Sequence, residues 1–130
     1  MISEEFKVEI VNPEKSFFSS EKVTEIIVPA FEGDMGILKD HISIISFLKP
    51  GVIRIFSKNI EEKFYVEDGI VEFKDNHLSV LTSSIFNLKN ADKAEIDKSL
   101  RDAEKILENV ELDDQKKFFT EQKIESLRSI

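Results

Sequence analysis

Close to Asn90 the chain exchanges one apolar rhythm for another. Upstream, apolar residues alternate with polar ones, as in Phe6, Val8, Ile10 and again in Leu78, Val80. A period of two is the spacing of a strand with one buried face. Further runs rich in Val, Ile and Phe cover Val23 to Val28, Ile42 to Leu48, Val52 to Phe56, Phe64 to Val66 and Ile70 to Phe73. Turn-forming pairs divide them: Asn12-Pro13, Glu32-Gly33, Pro50-Gly51, Asp68-Gly69 and Asp75-Asn76. Downstream of Asn90 neither Gly nor Pro occurs, and Ile96, Leu100, Ala103 and Leu107 fall on one face of a helix.

Short strands with hairpin-length turns and no intervening helical pattern predict two stacked antiparallel sheets, a β-sandwich or flattened barrel, over residues 1–89. Eleven Phe and no Trp suit such a core, because Phe adds bulk without a polar atom that needs a partner. Residues 90–130 are expected to form an antiparallel two-helix hairpin. Asp92 or Asn90 caps the first helix, and Asp113 or Asp114 opens a second that carries Phe118, Phe119, Ile124 and Leu127. Helices of this length are marginal alone in water, so the pair must lean on the sandwich. Facing each other consumes most of their apolar stripe, which predicts a weakly held tail.

A net charge of -8 argues against nucleic acid or anionic lipid as a partner, since both demand basic patches. No run approaches the roughly 18 apolar residues of a membrane span, and MISEEFKVEI lacks a secretion signal, so the chain reads as soluble and unexported, without direct bilayer insertion. Zero Cys removes disulfides, thiolate metal sites and Cys nucleophiles together. Asp40-His41 is a poor dyad or metal fragment, because neighbours on an extended chain point to opposite faces and no third ligand is evident. No phosphate-cradling glycine loop occurs. Catalytic and metal-ligating residues are therefore expected to be absent.

The segment Phe31-Glu32-Gly33-Asp34-Met35-Gly36-Ile37-Leu38-Lys39-Asp40-His41, followed eight residues later by Lys49-Pro50-Gly51-Val52-Ile53-Arg54-Ile55, resembles the signature of ATP synthase epsilon subunits. Val66-Glu67-Asp68-Gly69-Ile70-Val71-Glu72-Phe73 and Leu78-Ser79-Val80-Leu81 resemble strands that follow it in that family. The pieces are common singly, and their joint order and spacing carry the likeness. Turn chemistry predicts structural roles for the glycines: Gly33 and Gly36 shape an exposed loop, and Pro50-Gly51 forms a type II turn.

The resemblance implies a non-catalytic central-stalk subunit that binds the gamma subunit and the polar loops of the membrane c-ring, coupling proton-driven rotation to ATP synthesis. It implies a peripheral place on the cytoplasmic side of the bacterial plasma membrane. Glu32, Asp34 and His41, flanking Met35, Ile37 and Leu38, would form the acidic, sticky ring contact, and ring loops in the family carry basic residues. In many relatives the tail either folds on the sandwich or extends beside gamma and blocks ATP hydrolysis. Lys116, Lys117, Lys123 and Arg128 would then meet acidic segments of the alpha/beta head.

Some relatives bind ATP through an Ile/Leu-Asp-x-x-Arg-Ala stretch. Here Ile96-Asp97-Lys98-Ser99-Leu100-Arg101-Asp102-Ala103 places the Arg one residue late. One residue turns a helical side chain by about 100°, off the phosphate-facing side. Asp97 and Arg101 have instead the spacing of a surface ion pair, so weak or absent ATP binding is expected and no cofactor is implied. Two other classes fit less well. A sugar-binding sandwich would expose Trp or Tyr platforms, whereas Trp is absent and Tyr65 stands alone. A generic sandwich adaptor with a helical tail is distinguished by its partners, which would be unrelated clients rather than gamma.

Overall fold

The computed structural model describes residues 4–83, 85–89, 92–109 and 111–130. In chain order the elements are β1 (Phe6–Val11), β2 (Ser16–Ala30), β3 (Gly33–Leu38), β4 (Ile44–Leu48), β5 (Gly51–Ser57), β6 (Ile60–Val66), β7 (Gly69–Lys74), β8 (His77–Leu81), β9 (Ile85–Asn87), α1 (Lys93–Leu107) and α2 (Asp114–Arg128).

β2 belongs to two layers. Its first half pairs β1, and its second half pairs β3 and β5. One layer is β4, β7, β8, β1 and the start of β2; the other is β3, the end of β2, β5, β6 and β9. A single Ala30–Leu48 pairing joins them at one corner. Alternation turns Phe6, Val8, Ile10, Val71, Phe73, Leu78 and Val80 inward from the first layer. Val23, Ile26, Val28, Ile37, Ile53, Ile55, Phe64 and Val66 face them from the second, forming the closely packed core of the expected sandwich.

Four sequence expectations are corrected here. The sandwich is not antiparallel throughout, because β1 and β8 run parallel, with Val8 opposite Leu78 and Ile10 opposite Val80. Residues 33–38, expected as an exposed loop, form strand β3, since Ile37 is fully buried and Met35 packs on the core. Gly51 takes no positive φ, so the corner is not a type II turn; Gly51 opens β5 instead, where a Cβ would lie 2.5 Å from the Pro29 Cβ. Gly36 needs neither positive φ nor close approach, since the nearest atom to a Cβ placed there would be a Glu25 carboxylate oxygen at 3.7 Å. Gly33 does take the left-handed region, at φ 136°. The β7–β8 turn is also special: Asp75 and Asn76 both have positive φ, the requirement of a two-residue turn that favours Asn and Asp.

The tail is the expected helical hairpin. The Asp92 carboxylate accepts from the Ala94 N–H and the Asp113 carboxylate from the Lys116 N–H, capping α1 and α2. The alternative cap Asn90 lies outside the described residues, as does the exact junction of tail and sandwich. Ala103, Ile124 and Leu127 are buried, and Thr120 joins them by returning its hydroxyl to the Lys116 carbonyl. α2 carries Phe118 and Phe119 as expected, outside the buried stripe. They remain more than a third exposed, because the 100° step per residue turns them away from the Thr120–Ile124–Leu127 stripe.

Candidate interaction surfaces

The outer face of the β4–β7–β8 layer is apolar at one end. β4 alternation sends Ile44 and Leu48 inward and Ile45 and Phe47 outward, leaving the latter two 72% and 66% exposed. Register places Phe47 opposite Ile70, and Ile70 opposite Leu81, so three apolar side chains form a row across three strands. Phe31 borders this row, with its N–H donating to the Phe47 carbonyl at 2.9 Å. Phe119 of α2 also lines this open groove of about 900 Å³. Such a contiguous exposed patch marks an interaction surface.

Gly69 makes the row possible. It adopts φ 150°, and a Cβ there would lie 2.7 Å from the Leu81 carbonyl oxygen. The neighbouring turn is tied down by the Thr82 hydroxyl donating to the Asp68 carbonyl at 2.7 Å. Sequence reasoning did not find this face, because an outward apolar residue and an inward one share the same alternation. Two consecutive apolar residues in β4, Ile44-Ile45 followed by Phe47-Leu48, were the available signal.

The residues expected at the ring contact do not form one cluster. Glu32 and Asp34 are exposed at the start of β3; Asp34 lies beside the corner of Pro29, Lys49 and Gly51, whereas Glu32 lines the apolar groove with Phe31 and Phe47. His41 follows the other end of that strand, with its N–H donating to the Leu38 carbonyl. Five residues of strand separate the ends by about 17 Å. Among the intervening apolar residues only Leu38 is exposed, so the expected sticky patch is also smaller. The His41 ring meets the Phe73 ring edge-on at 5.9 Å, and its Nδ1 lies 2.8 Å from the Ile42 carbonyl oxygen. The adjacent Asp40, at φ 67°, is held by Asn76, whose side-chain oxygen accepts from the Asp40 N–H while its amide donates to the carboxylate.

The tail residues divide as well. Lys123 pairs with Glu67 of the β6–β7 turn at 2.8 Å, and Arg128 pairs with Glu104 of α1 at 3.2 Å. Both are engaged within the chain, whereas the side chains of Lys116 and Lys117 are exposed. Asp97 and Arg101 are exposed and close no ion pair among the described residues, contrary to the expected surface pair. Solvated charges at four-residue spacing gain little by meeting. α2 also reaches the sandwich through Ser126, whose hydroxyl lies 2.8 Å from the Pro50 carbonyl oxygen, and through Phe118, whose ring tilts on Phe31 at 5.7 Å.

No helix among the described residues is long and apolar enough to cross a membrane. The sequence profile of the ATP synthase Delta/Epsilon chain β-sandwich domain matches residues 5–88. The ATP synthase epsilon chain of Pelagibacter ubique (strain HTCC1062) is 65% identical over 129 residues, covering 99% of both chains. That of Dichelobacter nodosus (strain VCS1703A) is 34% identical over 109 residues, 83% of this chain and 76% of the relative. The fold recurs in a chain of the Euglena gracilis mitochondrial ATP synthase (OSCP/F1/c-ring), with a TM-score of 0.78 at 17% identity, covering 99% of this chain and 82% of that one. It recurs also in the central stalk/c-ring structure of the Tetrahymena thermophila mitochondrial ATP synthase, with a TM-score of 0.66 at 18% identity, covering 95% and 93%. With most of the sandwich matched by the profile and the tail aligned along with it in the Pelagibacter relative, the chain belongs to the ATP synthase epsilon family.

Proposed function

We propose that this chain is a non-catalytic rotor subunit of the central stalk, which transmits rotation of the c-ring to the catalytic head by binding the gamma subunit and the ring. The observation that carries this reading is the exposed row Phe47–Ile70–Leu81, set on a packed sandwich that can bear torque as a rigid body. In this reading gamma covers that row. Burying such side chains contributes about 1.5–3 kcal/mol each, enough for a few of them to anchor an interface.

Glu32 and Asp34 face the basic polar loops of the ring, and His41, at the far end of β3, is outside that contact. The complex holds the chain on the cytoplasmic side of the bacterial plasma membrane. The tail restrains hydrolysis when it leaves the sandwich and extends toward the alpha/beta head, where Lys116 and Lys117 meet acidic segments and Lys123 and Arg128 become available. ATP is not a ligand in this reading, and a micromolar Kd for ATP measured by calorimetry would overturn that part.

Co-purification with purified gamma tests the interface. The full chain should retain gamma, while Phe47→Asp should lose it by at least tenfold in affinity and keep its thermal unfolding midpoint, because the side chain is 66% exposed. Undiminished gamma binding by Phe47→Asp would remove this face from the reading. ATPase assays of the gamma complex with and without residues 90–130 test the tail, whose removal should raise hydrolysis.

A further inference from the structure

Among the described residues, the Tyr65 hydroxyl is the one buried side-chain polar atom without a hydrogen-bond partner. Its position is explained by β6. Phe64 and Val66 enter the core, so Tyr65 points to the opposite face, yet it is only 1% exposed. Val52 and Phe86 flank it in register, and the Phe86 ring lies 4.9 Å away. Glu67, in the turn that follows β6, reaches Lys123 of α2. Val52 and Arg54 of that face also line a cleft with Gln122, Glu125, Ser126 and Ser129 of α2. The helical tail thus lies along the face that carries Tyr65.

We infer that Tyr65 is a built-in destabiliser of the docked tail: the hairpin lies down only by stripping water from a hydroxyl that receives no partner in return. Leaving a buried hydroxyl unsatisfied costs free energy that returns when the group is rehydrated. Against it stand a few contacts: the Lys123–Glu67 pair, the Ser126 hydroxyl at the Pro50 carbonyl and the Phe31–Phe118 ring contact. Burial also pushes the phenol's pKa upward, and the Glu67 carboxylate pushes it the same way, which agrees with a dry site. The tail is therefore held below the affinity that its apolar area alone would give. This inference rests on the proposed reading of the tail as an element that detaches, and it assigns the residue that tunes the detachment.

The test is hydrogen exchange, resolved by peptide, on the full wild-type chain and on Tyr65→Phe, which keeps the ring and removes only the hydroxyl. Amides of α2 should exchange at least fivefold more slowly in Tyr65→Phe, while the β1 and β8 amides change by less than twofold. Equal slowing of α2 and the β-core would mean a global stability effect and would overturn the inference. An α2 that opens separately in the wild type but is unchanged in Tyr65→Phe, as when a water satisfies the hydroxyl, overturns the inference and leaves the detachable tail standing. Wild-type α2 amides that exchange only with global unfolding overturn both.

Discussion

At the scale of single residues, the glycines of the signature segments resolve into positions with different physics. Gly51 is required by close approach, since an added Cβ meets the rigid Pro29 ring at 2.5 and 2.9 Å. Gly51→Ala is expected to lower stability by about 1–3 kcal/mol through overpacking at the corner where the layers join, measurable in urea unfolding. Gly36→Ala, with nothing nearer than a flexible carboxylate, should be neutral or slightly stabilising. Sequence reasoning groups these glycines as turn formers, because the letter records freedom of φ but not the distance to a neighbour from another strand. Tyr65 supplies a second check at this scale. It is the only tyrosine and there is no Trp, so ultraviolet titration reports it alone. Its phenol is held above the ordinary value near 10 in the native chain, so the native form retains a proton that an exposed phenol has lost. By linkage, the stability present below pH 10 is therefore lost as pH rises above it. An ionisation midpoint well above pH 10 is expected, and a midpoint near 10 would show that the ring is not covered.

At the scale of elements, strand positions were legible where polar and apolar residues alternate, as from Phe6 to Ile10 in β1 and Leu78 to Val80 in β8. β3 was not, since two glycines and three charges between Glu32 and Lys39 read as a loop; pairing with β2 and burial of Ile37 decided otherwise. Nor was the parallel β1–β8 pair legible, because alternation states which face is buried and not which way a neighbour runs. Both tail helices and the caps Asp92 and Asp113 were legible from period and composition. Their docking was not, because it depends on pairs distant in sequence, such as Lys123 with Glu67. Those side chains are 20% and 25% exposed, so the pair is partly shielded and contributes about 1 kcal/mol. Lys123→Ala should accordingly speed α2 exchange several-fold while sparing the β-core, and exchange unchanged from wild type would show that the pair does not hold the tail.

At the scale of the whole molecule, the sandwich offers an apolar surface that meets an acidic corner at Glu32. The apolar row of β4, β7 and β8 suits a lasting protein contact, and the exposed acidic corner at Glu32 and Asp34 suits a weaker electrostatic one. Family membership and the sandwich-plus-hairpin layout were legible in the sequence. Which of the acidic and His positions share a surface was not legible, because His41 is close to Asp34 in the chain but lies at the opposite end of β3. The central claim, transmission of rotation, is tested most directly by ATP-driven proton pumping in membranes whose ATP synthase lacks its epsilon subunit, supplied with gamma, the ring and this chain. The wild-type chain should restore pumping, and Asp34→Lys, which places like charge against the ring loops, should allow hydrolysis with pumping reduced several-fold. Full pumping without the chain would contradict the coupling role, and full pumping with Asp34→Lys would contradict the acidic ring contact.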